Sequence, residues 1–238
     1  MTVRHAGLSI HWFGYATARI RSPSGFTAYT DPGRYGVLDD YRPEDGDLVV
    51  VTHDHHYDSD GIRRVAAVDA TIVVYENVDA SNIDRDVEPV EALGEDYDVV
   101  RVGERDMVDV DDVRVRSIPG YNDPDGTHLK PNGDPHHPPG FGCGFYLDVH
   151  GTTVLWPGDS DALPHHENLF VDVFLPPIGQ SYTMDRHEAA NLAETIDPGI
   201  VVPIHYDTFP DLEADSEAFA VDVASGGVPV ALATPRGH

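Results

Sequence analysis

Short alternating stretches open the chain. Leu8–Phe13 sets apolar side chains at alternate positions, Ala16–Arg21 follows after Gly14, and Phe26–Thr30 follows Ser22-Pro-Ser-Gly25. Alternation bounded by turn formers predicts a meander of antiparallel strands. Asp47–Thr52, DLVVVT, is instead a continuous apolar run, the pattern of a strand covered on both faces, and it stops at His53. Ile62, Val65 and Ala66 then fall at helical spacing, which predicts a helix over Asp60–Val68, and Ala70–Tyr75 reads as strand again. The result is a β-loop-α-β unit with a histidine-rich loop at the strand's carboxyl end.

Asp98–Ile118 reads as a second set of strands, broken at Gly103 and Asp111-Asp112. Pro119–Gly140 is a long loop carrying six prolines, and a loop of that length in a compact domain is usually functional or disordered. A hairpin is expected from Cys143–Val149 and Thr152–Trp156 around His150-Gly151. Further strands are expected at Val171–Leu175, Ile200–Ile204 and Val228–Ala231, and helices at Met184–Ile196 and Leu212–Ala224. The pattern implies an α/β fold: an αββα sandwich of two mixed β-sheets with helices on the outer faces, expected as a single domain over residues 1–238.

Apolar residues make up 40% of the 238 positions, enough for a sizeable core. No apolar run approaches the roughly 20 residues of a membrane helix. Met1–Ser9 has no long apolar stretch, so no signal peptide is expected. Cys143 is the only cysteine, which excludes an intrachain disulfide and a thiolate metal cluster.

Charge changes the picture more. Asp and Glu total 42 against 15 Lys and Arg, for a net charge of −27, and Lys130 is the only lysine. At molar salt the Debye length falls to about 3 Å, so such a surface is screened yet stays hydrated. The composition therefore points to the cytoplasm of an extreme halophile. It disfavours a nucleic-acid partner without excluding one, and leaves oligomerisation open.

Three polar clusters each follow a buried strand. The first is Thr52-His-Asp-His-His-Tyr-Asp58, where His53 and His55 are spaced to aim two imidazoles at one ion and Asp58 adds an oxygen. The second is Gly158-Asp-Ser-Asp161, where Gly158 permits a sharp turn and Asp159 can bridge two ions. The third is Pro203-Ile-His205-Tyr-Asp207. Strand ends gather on one edge of a sandwich, so the clusters can converge. Imidazole with carboxylate suits zinc, manganese or iron better than calcium or magnesium.

In this order, His-x-His, Gly-Asp-x-Asp and Pro-x-His after strands, the chain resembles the metallo-β-lactamase fold superfamily. Ile10-His-Trp-Phe-Gly14-Tyr-Ala16 is similar to that group's opening Gly-His-Ala segment, and Thr30-Asp31-Pro32 to its Ile-Asp-Pro turn. Pro176-Pro-Ile-Gly179, Tyr182-Thr-Met-Asp185 and Glu188-Ala-Ala190 resemble the ascorbate-phosphate-lactonase-like branch of metal-dependent hydrolases. The resemblance implies one or two divalent ions, zinc first and manganese or iron as alternatives, held by His53, His55, Asp58, Asp159, His205 and a third histidine. For the last, His137 is the first choice, with His136 and Asn122 as alternatives. Asp58, with His56 beside it, is the candidate for catalytic work: holding the second ion, orienting the nucleophile or shuttling its proton.

The chain departs from the family's His-x-His-x-Asp-His loop. The direct frame puts Tyr57 at the Asp position and Asp58 at the last His, while treating His56 as an insertion leaves Ser59 there. Either frame costs the second ion an imidazole and predicts a weaker second site. Tyr15 likewise replaces the opening histidine. The expected activity is hydrolysis of an ester, lactone, amide or phosphodiester by a metal-activated water. The competing class is a degenerate binding protein of the same fold. A small-molecule substrate is expected against the proline-rich loop, with Tyr121, Asn122 and His128 as contacts and Lys130 or Arg186 as anion holders. Asp31 and Asp207 are candidates for orienting the ligand imidazoles.

Overall fold

The computed structural model describes residues 1–36 and 41–233. Strands β1 (Thr2–His5), β2 (Leu8–Gly14), β3 (Thr17–Arg21) and β4 (Thr27–Thr30) form the antiparallel meander. From there the sheet turns parallel through β5 (Gly46–Val51), helix α1 (Ser59–Val65), β6 (Ala66–Tyr75), helix α2 (Val90–Leu93) and β7 (Asp98–Val102). The seven strands lie in chain order, β1 to β7. The second sheet begins with an antiparallel run of β8 (Met107–Val110), β9 (Val113–Gly120), β10 (Gly142–Val149) and β11 (Thr152–Trp156). It is extended in parallel by β12 (Val173–Phe174) and, after helix α3 (Arg186–Ile196), by β13 (Ile200–Val201); helix α4 (Ser216–Ser225) follows.

One apolar core draws on both sheets, from Ile10, Val49 and Val73 to Phe145, Leu155 and Phe174. The αββα expectation therefore holds. Among the described residues no helix is long and apolar enough to cross a membrane.

Several boundaries differ from the sequence pattern for local reasons. β1 has one buried apolar side chain, Val3, too little to register as a period. The helix expected over Asp60–Val68 stops at Val65, because Ala66 already pairs with Gly46 on β5. The helix expected from Leu212 starts at Ser216, where the Asp215 carboxylate accepts the Ala218 N–H at 2.9 Å, and Pro210–Leu212 forms a separate 3-10 turn. The last expected strand reduces to one bridge, Val201 to Val230.

Candidate metal centre

β5, β11 and β13 deliver their carboxyl ends to one edge, and with them His53, Asp159 and His205. The approach is tight. At Gly158, φ is +68° and a Cβ would stand 2.5 Å from the Cys143 carbonyl; at Gly142 a Cβ would stand 2.9 Å from the His53 Cβ. Glycine at both positions lets β10, the Asp159 turn and the histidine loop close on one another. Tyr15, Asp31 and His205 all adopt positive φ around the same point, the kind of strain that collects at functional sites.

Asp159 is buried and presents its two oxygens to different imidazoles. Oδ2 stands 3.6 Å from His53 Nε2 and 3.5 Å from His137 Nε2. Oδ1 stands 3.6 Å from His56 Nε2 and 3.2 Å from His205 Nε2. His137 Nε2 is also 3.3 Å from His55 Nδ1, and His56 Nε2 is 3.2 Å from His205 Nε2. His53 and His137 stand against Oδ2 with His55 beside His137, and His56 and His205 stand against Oδ1; His53 also lies within ligand distance of His56 and Asp159 together.

These atoms fit metal ions better than they fit one another. Donors about 2.0–2.2 Å from a tetrahedral ion lie roughly 3.3–3.6 Å apart, the spacing seen here. His53 Nε2 and Asp159 Oδ1 are buried without a hydrogen-bond partner, which is costly unless a cation takes the lone pairs. Burial holds His53, His137 and His205 well below the ordinary imidazole range, neighbouring imidazoles adding to it, and His55 falls to about 4. Neutral imidazole is the ligand form. His56 goes the other way: burial opposes its charge, but Asp159 and Asp31 outweigh burial and raise it. Burial lifts the Asp159 carboxyl to about 6.

The side chains behind the ligands fix their tautomers. Thr52 Oγ1 donates its one proton to Asp31, 3.0 Å from Oδ2, and so accepts from His53 Nδ1 at 2.9 Å and His56 Nδ1 at 3.2 Å. Both rings are thereby left with Nε2 lone pairs facing the centre. Asp31 is itself anchored by the Thr52 N–H at 2.8 Å and Trp156 Nε1 at 2.7 Å. The Tyr182 carbonyl accepts from His137 Nδ1 at 3.2 Å. Sequence reading missed Thr52, Trp156 and Tyr182. Thr52 adjoins the His-x-His motif and Tyr182 opens the Tyr182-Thr-Met-Asp185 segment, whereas Trp156 carries no local signal.

Asp58 is a correction. It joins neither group: Oδ1 accepts the Gly61 N–H at 3.0 Å as the cap of α1, and Oδ2 accepts the Arg34 N–H at 3.2 Å. Tyr57 also turns away, donating to the Glu88 carbonyl at 2.8 Å. His56 stands in the second group instead, beside His205 and Asp159 Oδ1.

The remaining expectations divide. Asp31 does stand behind an imidazole, 3.4 Å from His56 Nδ1, whereas Asp207 accepts the Ala214 N–H. Asn122 is a buried brace, accepting the His137 N–H at 2.8 Å and donating to Asp161 and Tyr182. His128 pairs with Asp161 at 2.8 Å, and Arg186 with Asp222. Tyr121, Asn122 and His128 do not line the cleft of about 340 Å³ that opens onto the centre; His136, Lys130 and Phe141 do. Tyr15 fills the place of the opening histidine with its ring 4.4 Å from that of His205.

Residues 9–205 match a family model described as a beta-lactamase superfamily domain. A UPF0173 metal-dependent hydrolase of Pyrococcus abyssi is 32% identical over 190 residues, covering 75% of this chain and 76% of that protein. One from Pyrococcus furiosus is 29% identical over 187 residues, covering 76% and 75%. The solved structure of a metallo hydrolase from Ignicoccus hospitalis has the same fold, with TM-score 0.70 at 23% identity over 97% of this chain and 96% of that one.

Proposed function

The chain belongs to the metallo-β-lactamase superfamily, and on that premise we propose that it is a hydrolase that works with two divalent metal ions and cleaves an ester, lactone or phosphodiester bond. The observation that carries this reading is the division of Asp159, one oxygen to His53 and His137 and the other to His56 and His205. His53, His55 and His137 would hold one ion; His56 and His205 would hold the other; Asp159 would bridge them. Zinc suits so many imidazoles best, with manganese or iron as alternatives. When bound, such ions supply Lewis acidity toward the substrate's electrophilic oxygen and a water acidified toward neutrality.

The protein's own part is positional and electrostatic. Thr52 and Asp31 aim His53 and His56, and the Tyr182 carbonyl aims His137. Phe141, Pro138 and Phe209 line the cleft above the ligands and limit water there. His136 lines the same cleft outside both ligand groups. Burial first and Lys130 next lower its pKa, which favours the neutral imidazole, a proton acceptor beside the cleft.

The competing idea of a degenerate binder drew its support from an absent second-site imidazole; under the present reading His56 would supply it. The reading is tested by elemental analysis of protein purified without chelators, followed by assay on 4-nitrophenyl acetate, a γ-lactone and bis(4-nitrophenyl) phosphate. Close to two ions per chain and chelator-sensitive turnover of at least one substrate are expected, with loss of both in Asp159→Asn. Full turnover after complete metal removal would overturn it.

A further inference from the structure

Among the described residues, three other sizeable clefts are acidic. The one beside Phe209 carries Asp207, Glu213 and Asp215; that beside Pro89 carries Glu76, Asp79 and Glu91; that beside Thr71 carries five aspartates. The cleft over the metal centre is the exception. Among the described residues Asp159 is the only carboxylate lining it, and both oxygens of Asp159 face the imidazole groups. Lys130, the only lysine among 238 residues, lines its rim.

Lys130 is held in place by its backbone. Its N–H donates to the Asp134 carbonyl at 2.7 Å, Leu129 bridges Pro135, and the His136 N–H donates to the His128 carbonyl at 3.2 Å. The base of this hairpin is pinned by His128 on Asp161 at 2.8 Å. Arg186, the other cation considered as an anion holder, is spent on Asp222. Among the described residues no carboxylate lies within ion-pair distance of the Lys130 ammonium, although acids outnumber bases 42 to 15. The walls carry aromatic side chains, Phe141, Phe209 and Tyr15, joined by Tyr182, whose hydroxyl is engaged with Asp211 at 3.1 Å. At about 340 Å³ the space is near the lower end of small-ligand sites.

We propose that this cleft selects a small substrate with an aromatic or branched apolar body and one carboxylate, which Lys130 holds at the rim while the body lies between the aromatic walls. The proposal rests on the hydrolase reading in taking the scissile group to sit at the His55, His137 and Asp159 floor. The exposed Lys130 ammonium at the rim gives an anion a charge-assisted partner, and the aromatic side chains give apolar contact without further charge.

Binding separates this proposal from the hydrolase reading. Zinc-loaded protein is titrated calorimetrically with benzohydroxamate, whose hydroxamate seeks the metal centre, and with its 3- and 4-carboxy derivatives. The better carboxylate should bind about tenfold tighter than the parent compound. Lys130→Met should remove that ratio and Lys130→Arg should retain most of it. An equal ratio in wild type and Lys130→Met overturns the proposal, as does failure of all three compounds to bind metal-loaded protein. A Lys130-dependent ratio in a protein that hydrolyses none of the test substrates would uphold the carboxylate site and count against hydrolysis alone.

Discussion

His56 Nε2 faces His205 Nε2 at 3.2 Å, across 149 residues of sequence. One ring leaves the histidine loop after β5 and the other follows β13, and both meet Asp159 Oδ1. Two buried imidazole nitrogens at this distance share either a proton or a cation. With the His56 Nδ1 side turned to Thr52 and Asp31, a cation can use both Nε2 lone pairs and Oδ1 at once.

Metal stoichiometry should follow this division. Wild-type protein is expected to take two equivalents, the first tighter because three imidazoles serve it. His56→Ala and His205→Ala should each bind one, and Asp159→Asn should weaken both. Titration of metal-free protein by calorimetry, with elemental analysis of the products, reads this directly. Two full equivalents in His56→Ala would refute the assignment of that ring.

Asp58 should behave as a helix cap. Asp58→Ala removes the acceptor for the Gly61 N–H and should cost about 1 kcal/mol of stability. Asp58→Asn should restore most of it, and both variants should keep wild-type metal content. Urea unfolding and elemental analysis test the pair. Loss of one ion from Asp58→Asn at unchanged stability would return Asp58 to the ligand set.

Much of the layout was legible in the sequence because the buried strands are continuous apolar runs. DLVVVT, TTVLW and the run before His205 end in polar clusters, and parallel or neighbouring strands bring such ends together. The histidine loop was not legible in detail. Which of His56, Tyr57 and Asp58 turns inward depends on how the chain enters α1. The Asp58 cap and the Tyr57 contact with Glu88 decide this, the second across 31 residues. Asn122 is a ligand alternative by sequence because Ile118-Pro-Gly-Tyr121-Asn122 stands where the resembled family carries a histidine in a Pro-Gly-His-like turn. Only its contacts to His137, Asp161 and Tyr182 identify it as a brace.

His166 should make the fold acid-sensitive. It is fully buried, its Nδ1 accepts the Leu163 N–H at 3.3 Å, and burial, helped by His165, lowers its pKa to about 3. The unfolded chain binds a proton near pH 6.5, so it gains protons first as pH falls. The contribution is complete above about pH 6.5 and is lost progressively toward pH 3. Urea unfolding with chelator present, at several values between pH 7.5 and 4.5, should give a flatter profile for His166→Asn than for wild type. Identical slopes would show that the ring is hydrated in the native state.

Salt should stabilise the fold. A net charge of −27 makes the native surface self-repulsive, and at molar KCl the Debye length of about 3 Å removes most of that repulsion. The melting temperature is expected to climb steeply between low salt and molar KCl, and more than in an equiosmolar sucrose series. Equal gains in the two series would assign the effect to excluded volume rather than to charge.

Thr52 offers the sharpest test of the centre, because its hydroxyl serves three partners with one proton. It donates to Asp31 and accepts from His53 and His56, and under the proposed assignment those imidazoles would serve different ion positions. Thr52→Val keeps the shape and removes the oxygen. His53 Nδ1 then loses its acceptor and its tautomer lock, and His56 Nδ1 is left with Asp31 Oδ2 at 3.4 Å alone, while Asp31 keeps the Thr52 N–H and Trp156 Nε1. Metal affinity should fall about 10- to 100-fold at both positions, the usual cost of removing such a partner. Thr52→Ser, which keeps the hydroxyl, should recover most of it. Circular dichroism should match wild type in both variants, so a loss of affinity reports orientation rather than unfolding. If only one position weakened, the hydroxyl would be committed to a single imidazole; if neither did, the tautomers would be set by the metal ions alone.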